Sequence, residues 1–401
     1  MILDALVVGS GPAGSAAAAV LAMRGCRVLV AERARFPRAK PCGDYLNPGC
    51  GIVLQRIGAL AEVERAALPV PGMRIVAPDG ASAATAFSAG GGYALPRHTL
   101  DHVLMAHAAR RGAAVIEEAR VTALEPGAHC LRVTVERGSG PVRRESYHAR
   151  LVIGADGIRS EVARMIGAGN PPRSGRFTVG AYLRDLKPDA APGEPLPGEI
   201  HFARDRYCGV AYLPGGLANV TIALSREVVR SWRGALAARY WEALHDFPRL
   251  ADRLAEAGIV GGLRTTGPVT FWRRRTVARG TLLAGDAAAF IDPMTGQGVS
   301  LALRGGELAA EAAVRALDRG GPTRRTLAAY DRARGREFAG AVFLSRALEH
   351  LAFRPVVIQR AVRAMSARSD LATRFIDAVG GVGPALSVLH LGFLAGLAGI
   401  A

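Results

Sequence analysis

The chain begins with a strand, a glycine-rich turn and a helix in immediate succession. Leu3–Val8 is an apolar run of strand length, Gly9–Gly14 reads GSGPAG, and Ser15–Arg24 is an alanine-rich segment typical of a helix. A second apolar strand, Arg27–Ala31, ends directly before Glu32. Strand, turn, helix, strand and acid in this order form the βαβ unit that binds a dinucleotide. They predict an α/β fold around a parallel sheet.

Each residue type in this unit has a physical reason. Gly9 allows the tight turn from strand to helix, Gly11 lets the backbone approach a pyrophosphate, and Gly14 lets helix and strand pack closely. The helix N-terminus offers free N–H groups and a positive dipole to the phosphates. Glu32 stands where a carboxylate accepts hydrogen bonds from a ribose diol. No second Gly-x-Gly-x-x-Gly turn follows a strand, so we expect one bound dinucleotide and no separate NAD(P)H domain.

A later segment favours a flavin as the reactive part of that dinucleotide. Asp286 comes just past the strand Thr281–Ala284, where it can accept hydrogen bonds from a sugar-alcohol chain. Gly296 and Gly298 precede the helix Val299–Leu317 and are expected to bare backbone N–H groups at its N-terminus. Those donors and the helix dipole would stabilise the negative charge that a reduced flavin places on its N1–C2=O edge.

Five motifs can be read together: GSGPAG at 9–14, KPCGDYLNPG at 40–49, PRHTLD at 96–101, GADGIRS at 154–160 and GDAAAFIDPMTGQG at 285–298. In these motifs the chain resembles the geranylgeranyl reductase family, within the larger group of flavoproteins shaped like p-hydroxybenzoate hydroxylase. The resemblance covers most of residues 1–330 and implies FAD as the cofactor. It also implies an α/β fold, in which a Rossmann-like FAD-binding domain carries an inserted antiparallel β-sheet substrate domain and a helical C-terminus.

The resemblance divides the chain as follows. The FAD-binding domain is expected to be discontinuous, at 1–72, 95–170 and 265–330. The substrate domain is expected at 73–94 and 171–264, and the C-terminal helical region at 331–401.

The resemblance also implies roles for individual residues. Arg97 would brace the FAD, Val121 would meet the adenine through its backbone, and Asp156 would belong to a second fingerprint near the pyrophosphate. Cys42 would lie beside the flavin ring, where it is the catalytic candidate and a purely structural role is the alternative. The expected FAD-binding positions are Gly9, Gly11, Ala13, Gly14, Glu32, Arg33, Cys42, Gly43, Tyr45, Arg97, Val121, Asp156, Gly157, Gly285, Asp286, Pro293, Gly296, Gly298 and Val299.

Short strands predict a sheet that covers the flavin. Turn-divided strands are expected over Met73–Ala94, and four more are expected at Phe177–Leu183, Glu199–Ala203, Tyr207–Leu213 and Asn219–Leu224. Alternation places Tyr207 and Tyr212 on opposite faces of one strand, so at most one of them faces the flavin. His201 could act as a base or bind substrate, although a structural histidine is the commoner case.

The resembled reductases carry a Tyr-x-Trp-x-Phe-Pro stretch on this sheet, and the chain departs from it. Pro214 is kept, but Ala211 and Leu213 stand where Trp and Phe are expected. This departure predicts a pocket that is still apolar but has a different shape.

The charge and the cysteines exclude some classes of protein. The formal net charge is +17, but the arginines are spread along the chain, and aromatic residues make up only 6%. Base-stacking surfaces for nucleic acid are therefore not expected. The five cysteines include no C-x-x-C pair, so we expect no disulfide framework, no metal site and a cytoplasmic location.

The C-terminal part leaves two interpretations open. Arg319–Arg374 is helical in pattern and rich in arginine, and 378–401 carries no charged side chain. The first interpretation is a solvated helical region with a buried tail. The second is a basic surface in peripheral contact with a membrane, through which a lipid-like substrate enters. Whether a carrier or reductase partner exists is left open.

Three reactions fit one FAD without a second nucleotide domain: monooxygenation with NAD(P)H and O2, hydride reduction of an isolated C=C bond, and halogenation. Halogenation is least favoured, because the Trp-x-Trp-x-Ile-Pro stretch of flavin halogenases is absent and neither Lys40 nor Lys187, the only lysines, lies in the expected setting. By analogy with other proteins of this fold, we predict an NAD(P)H-dependent monooxygenase acting on a lipophilic polyketide-, phenol-, quinone- or isoprenoid-like molecule. Reduction of C=C bonds is the alternative. The intact loop at 293–298 argues against a flavin-binding scaffold without turnover.

Overall fold

A computed structural model describes residues 2–138, 140, 142–169, 176–351, 354–390 and 393. Its strands, in chain order, are β1 (Ile2–Val8), β2 (Val28–Ala31), β3 (Tyr45–Leu46), β4 (Leu68–Val70), β5 (Gly72–Val76), β6 (Ser82–Ala86), β7 (Gly92–Ala94), β8 (Ala114–Ile116), β9 (Ala119–Pro126), β10 (Leu131–Arg137), β11 (Arg143–Gly154), β12 (Phe177–Arg184), β13 (Gly198–Phe202), β14 (Tyr207–Leu213), β15 (Leu217–Leu224), β16 (Gly258–Thr266), β17 (Phe271–Trp272), β18 (Val277–Ala278), β19 (Thr281–Leu283) and β20 (Ala289–Phe290).

The helices, in chain order, are α1 (Pro12–Met23), α2 (Pro48–Ile57), α3 (Leu60–Glu64), α4 (Arg97–Arg110), α5 (Glu161–Met165), α6 (Arg226–Ser231), α7 (Leu236–Leu244), α8 (Pro248–Ala251), α9 (Gly298–Asp318), α10 (Arg324–Leu351), α11 (Pro355–Ala367) and α12 (Ser369–Gly380). Single 3-10 turns occupy Gly285–Ala287, Pro293–Thr295 and Ala385–Leu389.

The larger sheet has the order β18-β19-β11-β1-β2-β8, and β9 and β10 extend it beside β11. β1 pairs in parallel with β2 and with β11, and β11 pairs in parallel with β19. Their carboxyl ends therefore meet at one edge, at Val8, Ala31, Gly154 and Leu283. Open α/β sheets bind their ligands at this edge. The predicted βαβ unit is confirmed, and both later glycine motifs follow strands of the same sheet.

Helices α1 and α9 lie side by side in the core of this domain. A Cβ atom at Gly306 would stand 2.1 Å from the carbonyl oxygen of Ala13, so glycine is what allows the two backbones to approach this closely. Pro12 and Gly298, at the first position of each helix, line the same cleft. The packing thus brings two helix N-termini to the carboxyl edge of the sheet.

The second sheet has the order β16-β12-β15-β14-β13-β5-β6. All four predicted strands after residue 176 are found in it as β12 to β15. Its neighbours are antiparallel, as expected, except for β13 and β5, which pair in parallel. Tyr240, Phe247 and Leu250 pack against one side of the sheet from the segment that carries α7 and α8. Residues of the other side line the cleft.

The predicted C-terminal helices are present. α10 packs along α9, and α11 and α12 contact β6 of the second sheet. The uncharged segment 378–401 lies within the described residues only up to position 390 and at 393, where Val388 and Phe393 are buried. The rest of the expectation for this tail falls outside the described residues. No described helix combines the length and the apolar character needed to cross a membrane.

Candidate functional site

One large cleft lies between the two sheets and holds about 1760 Å³ of empty space, part of it open to solvent. Its walls come from the carboxyl edge of the first sheet, from the N-termini of α1 and α9, and from one side of the second sheet. The expected FAD-binding residues that line it are Gly11, Ala13, Cys42, Gly43, Tyr45, Arg97, Gly157, Asp286, Pro293, Gly296, Gly298 and Val299.

The turn at 9–14 has the geometry of a phosphate cradle. Gly9 has a φ of +94°, and a Cβ atom there would stand 2.6 Å from the carbonyl oxygen of Ala155. A Cβ atom at Gly14 would stand 1.9 Å from the carbonyl oxygen of Gly9. These two glycines do not line the cleft but allow the turn to close, and the first N–H groups of α1 have no acceptor within the helix. This cradle fits a pyrophosphate.

Glu32 is buried at the end of β2, with 3% of its surface exposed. Its Oε2 accepts the backbone N–H of Ser10 at 2.7 Å, and its Oε1 accepts that of Ala34 at 2.9 Å. The carboxylate therefore shapes the glycine turn, and one remaining lone pair on each oxygen would serve a ribose. The following Arg33 is exposed.

A charged network supports the middle of the cleft. Arg97 donates to both carboxylate oxygens of Asp101 at 2.9 Å, and Arg38 lies 3.0 Å from the same carboxylate. Burial lowers the pKa of Arg97, but the charge of Asp101 outweighs this effect and raises it. The guanidinium therefore remains a fixed positive charge facing the cleft, as FAD phosphates would require.

Asp286 lies in the cleft and is paired with Lys40, whose Nζ stands 2.9 Å from Asp286 Oδ2. Lys40 lines the same cleft. Sequence reasoning held only that neither lysine lies where a flavin halogenase needs one, and it gave Lys40 no role in the site. The available signal was the position of Lys40 in the KPCGD motif, two residues before Cys42.

The loop before α9 corrects another expectation. The N–H of Gly296 does not face the cleft as a free donor, because it donates to the carbonyl oxygen of Pro293 at 3.0 Å. Gly296 instead supplies a left-handed turn with a φ of +62°. The turn leaves Gly298 and Val299 as the first residues of α9, whose initial N–H groups lack helical acceptors. Those N–H groups are the ones that would face a flavin edge.

Four other expected positions do not line the cleft. Asp156 accepts Ser160 Oγ at 2.6 Å and the N–H of Glu161 at 2.7 Å, so it caps α5, and its neighbour Gly157 reaches the cleft. Val121 is buried in β9. Gly285 lines a smaller adjoining pocket together with Asp286 and Gly298. Arg33, already placed on the surface, is the fourth.

Cys42 lines the cleft and is partly buried. Burial raises the pKa of its thiol, the charge of Asp44 acts in the same direction, and the guanidinium of Arg97 opposes both. The carbonyl oxygen of Cys42 accepts Asn219 Nδ2 at 2.7 Å. The pKa of the thiol therefore lies above its usual value, and the residue stands on a loop that is tied to the second sheet.

Small and apolar residues dominate the side of the cleft formed by the second sheet. They are Gly180, Ala181, Gly198, Ile200, Gly209, Val210, Ala211 and Ala223. Ala211 stands where the resembled reductases have Trp, and its small side chain fills less of the cleft on this side. Leu213 does not line the cleft but packs in a small core with Val70 and Ala94. The predicted apolar pocket is present.

Of the two tyrosines of β14, only one lines the cleft, as the alternation of side chains along a strand predicts. Tyr207 lines the cleft, and its hydroxyl donates to the buried Asp292 at 2.5 Å. Asp292 also accepts the N–H of Met294 at 3.0 Å and Arg176 Nη1 at 3.1 Å. Tyr207 therefore joins the second sheet to the loop before α9. Tyr212 does not line the cleft.

His201 is fully buried and also lies outside the cleft lining. Its Nε2 stands 2.7 Å from Glu199 Oε2, which also accepts Arg253 Nη1 at 2.9 Å. Tyr212 completes this cluster by donating to Glu199 Oε1 at 3.1 Å. The geometry favours the structural interpretation of His201.

Sequence reasoning missed Asp44 and Asn219, which hold the Cys42 loop. Asp44 Oδ2 accepts Asn219 Nδ2 at 2.7 Å. One available signal was the amide of Asn219 at the start of an otherwise apolar strand.

The sequence matches the FAD binding domain family over residues 3–342. It is 30% identical over 364 residues to the digeranylgeranylglycerophospholipid reductase of Methanothrix thermoacetophila, covering 85% of this chain and 84% of the relative. It is 32% identical over 343 residues to the enzyme of the same name from Methanosphaerula palustris, covering 82% and 80%. Among solved structures, a flavin-dependent brominase superposes with a TM-score of 0.83 at 19% identity, covering 96% and 94%.

The family match covers the turn at 9–14, most of the cleft lining and the loop before α9, and the residues present fit FAD. The brominase shares the fold, whereas the two reductases share sequence along most of the chain. The chain therefore belongs to the FAD binding domain family, as a member of the geranylgeranyl reductase group of p-hydroxybenzoate hydroxylase-like flavoproteins, and it is an FAD-dependent oxidoreductase.

Proposed function

We propose that this oxidoreductase reduces C=C bonds of a lipophilic, isoprenoid-like substrate. The observation that carries the proposal is the position of the Cys42 thiol. It lies on the loop that carries the KPCGDYLNPG motif, and it lines one cleft together with Asp286, Gly298 and the apolar side of the second sheet. The names of the relatives support the substrate class, since they act on a digeranylgeranyl glycerophospholipid. This proposal replaces monooxygenation, which rested on analogy of fold, as the first choice.

Reduction of an isolated C=C bond needs a hydride at one carbon and a proton at the other. Bound FAD, once reduced, would supply the hydride. In the proposed mechanism the Cys42 Sγ–H donates the proton, and the C–H bond forms as the S–H bond breaks. Arg97 would stabilise the resulting thiolate, because the positive charge of its guanidinium acts on Cys42 and lowers the pKa of the thiol. Solvent water then returns a proton to the sulfur.

The chain's own residues would hold FAD at four places. The turn at 9–14 and Glu32 would bind the adenosine diphosphate part, Arg97 would face the phosphates, and Asp286 would accept hydrogen bonds from the ribityl chain. The N-terminus of α9 would lie at the flavin edge. We propose NAD(P)H as a transient electron donor, because the chain carries a single dinucleotide turn.

Hydroxylation remains the second candidate because of Ala211. The small side chain at this position would leave room for a broad, ring-containing molecule as well as for a polyene chain. The two functions differ in stoichiometry, since a reductase adds two hydrogens to each bond and needs no O2, whereas a monooxygenase adds one oxygen atom from O2.

An anaerobic single-turnover experiment tests the proposal. The FAD-loaded protein is reduced with one equivalent of dithionite and mixed with digeranylgeranylglycerophospholipid. Reoxidation of the flavin without O2 is expected, and the fully saturated lipid serves as the control that should leave the flavin reduced. Flavin that stays reduced with every polyprenyl lipid, yet turns over in air with a phenolic substrate, would favour hydroxylation.

We further propose that the protein is located in the cytoplasm and makes peripheral contact with a membrane. Phe343, Leu351 and Val356 are exposed apolar residues on α10 and α11, with 54%, 38% and 59% exposure. The exposed Arg346 and Arg354 stand between them in the sequence. Apolar side chains flanked by arginines suit an anionic lipid surface, from which a lipid substrate would reach the cleft.

A further inference from the structure

Asn219 has an amide whose hydrogen-bonding groups are all engaged. The Nδ2 group donates to the carbonyl oxygen of Cys42 and to Asp44 Oδ2, both at 2.7 Å. The Oδ1 atom accepts the hydroxyl of Thr221 at 2.7 Å. A primary amide has two N–H donors. Both of them bind acceptors on the Cys42 loop, while the amide oxygen binds Thr221 of the same strand, β15. The orientation of the amide is therefore fixed.

Asp44 makes the second half of this connection. Its φ of +55° lies in the left-handed region that most residues avoid. Its Oδ1 accepts the N–H of Arg97 at 2.9 Å, while Oδ2 accepts Asn219, and only 1% of the residue is exposed. A buried carboxylate that bridges two elements in this way stabilises the unusual backbone of the loop.

The loop is thus held from two sides. The start of α4 reaches it through the N–H of Arg97, and β15 reaches it through Asn219. The charged groups that face Cys42 are the guanidinium of Arg97 and the carboxylate of Asp44. Asn219 lines the same cleft as Cys42, so the wall of the substrate side directly determines where the thiol loop lies.

We propose that Asn219, acting with Asp44, is a positioning residue that holds the Cys42 peptide against the second sheet and keeps the thiol in the cleft. The role of the thiol as proton donor rests on the proposed function, but the positioning itself does not. Occupation of the substrate side and the place of the thiol are then linked through one side chain. Asn219 does not touch the reacting atoms in this account.

The test measures the thiol directly, in the FAD-loaded protein. Alkylation of Cys42 by iodoacetamide is followed by mass spectrometry across pH 6–10 in the unmodified chain and in Asn219→Ala. Release of the loop should admit water and remove part of the burial that raises the thiol pKa. A fall of one pKa unit would raise the thiolate fraction at neutral pH about tenfold. Alkylation would speed up about threefold, because a less basic thiolate is a weaker nucleophile, with the pH midpoint lowered and the flavin absorbance retained.

Internal references and two further variants make the result decisive. Cys26 and Cys130 are partly buried and should react at unchanged rates, while Cys50 and Cys208 are buried and should stay protected. Asn219→Ser retains one donor and should give an intermediate rate. Ser225→Ala is the matched control, because it removes a side-chain hydrogen bond to Val228 just after β15, away from the loop.

Three outcomes overturn the proposal. The first is an unchanged Cys42 rate and pH midpoint in Asn219→Ala with FAD bound. The second is an equal acceleration in Ser225→Ala. If Cys50 and Cys208 become labelled in Asn219→Ala, that variant has lost its fold, and Asn219→Ser is used in its place. The third outcome is an unchanged Cys42 alkylation rate in Asn219→Ser. Failure of the proposed function would appear separately. The flavin would then not be reoxidised by the lipid, while Cys42 would still be alkylated faster in Asn219→Ala than in the unmodified chain.

Discussion

The Nζ atom of Lys40 lies 2.9 Å from Oδ2 of Asp286, across the cleft that the two residues line together. One residue comes from the motif loop after β2 and the other from the turn after β19, so the ion pair joins distant parts of the chain. The side chains are partly buried, at 32% and 16% exposure. The pair fixes the orientation of the carboxylate that we assign to the ribityl chain.

Asp286→Ala should purify with little or no bound FAD, because the carboxylate and its ion pair are both lost. Lys40→Met should keep some FAD but bind it more weakly, since the carboxylate remains without its partner. Absorbance of the purified protein near 450 nm gives the occupancy. Lys187→Met is the matched control, because the only other lysine is exposed and lies outside the cleft. A fully yellow Asp286→Ala protein would refute the assignment.

Glu32→Ala should weaken FAD binding by about 1.5–3 kcal/mol, the range for hydrogen bonds to a charged group. The carboxylate both shapes the turn, through Ser10, and is assigned to the ribose. Isothermal titration of the apoprotein with FAD gives the Kd. Glu161→Ala, at an exposed salt bridge with Arg164, should bind FAD as the unmodified chain does. An unchanged Kd in Glu32→Ala would remove this residue from the site.

Cys42→Ser should bind FAD normally and lose most of its single-turnover reduction rate, since a hydroxyl is a much weaker acid than a thiol. Cys130→Ser serves as the control and should retain the rate. If rate and product are the same in Cys42→Ser, the cysteine is structural.

The rate should also depend on pH in a defined direction. A proton donor acts in its protonated form, and burial raises the pKa of Cys42 above its usual value of 9.0. The single-turnover rate should therefore stay level through neutral pH and fall only above about pH 9. A rate that rises with pH through this range would contradict a thiol proton donor.

Acid should destabilise the protein through Glu199. Burial alone would raise the pKa of this carboxyl, but the hydrogen bond from His201 and the charge of Arg253 outweigh it, and the pKa is lowered from 4.5. A carboxyl with a lowered folded-state pKa stabilises the fold above its unfolded pKa, and this stability is lost as the pH falls through the folded value.

Glu199→Gln should therefore lower the free energy of unfolding at pH 7 by about 3–5 kcal/mol, because Arg253 is left buried without its partner. The loss should shrink below about pH 4. Urea unfolding at pH 7 and at about pH 3 measures both effects, with the surface variant Glu242→Gln as the control. Equal losses at the two pH values would mean that the ion pair is not the cause.

The proposed membrane face predicts binding to anionic vesicles. The chain should sediment with vesicles that contain phosphatidylglycerol and release at high salt, as screened charges require. Val356→Asp should reduce sedimentation. Val142→Asp is the matched control, because Val142 is equally exposed, at 60%, but lies outside the C-terminal helices. Equal binding by both variants would contradict this face.

Much of the fold could be predicted because its signals are local. Gly9, Gly14 and Glu32 mark a βαβ unit by spacing alone, and the period of two in Tyr207–Leu213 separates Tyr207 from Tyr212 correctly. The parallel pairing of β13 with β5 was not predictable in this way, because it depends on which distant strand a sheet edge meets.

The site was predicted less completely for the same reason. The ion pair of Lys40 and Asp286 and the bonds from Asn219 to the Cys42 loop join residues more than 170 positions apart. No local pattern encodes such contacts. The hydrogen bond from the Gly296 N–H to the carbonyl oxygen of Pro293 could not be predicted either. It belongs to a 3-10 turn that begins at Pro293, and residue types alone do not indicate such a turn.

The reaction itself is tested most directly by the mass of the product. FAD-loaded protein is incubated with NADPH and digeranylgeranylglycerophospholipid, once without O2 and once under 18O-labelled O2, and the lipid is analysed by mass spectrometry. We predict a gain of two hydrogens for each reduced double bond, with product formed in the absence of O2 and no label in the product formed in its presence. A product that forms only with O2 and carries one labelled oxygen atom would contradict the reductase and establish a monooxygenase.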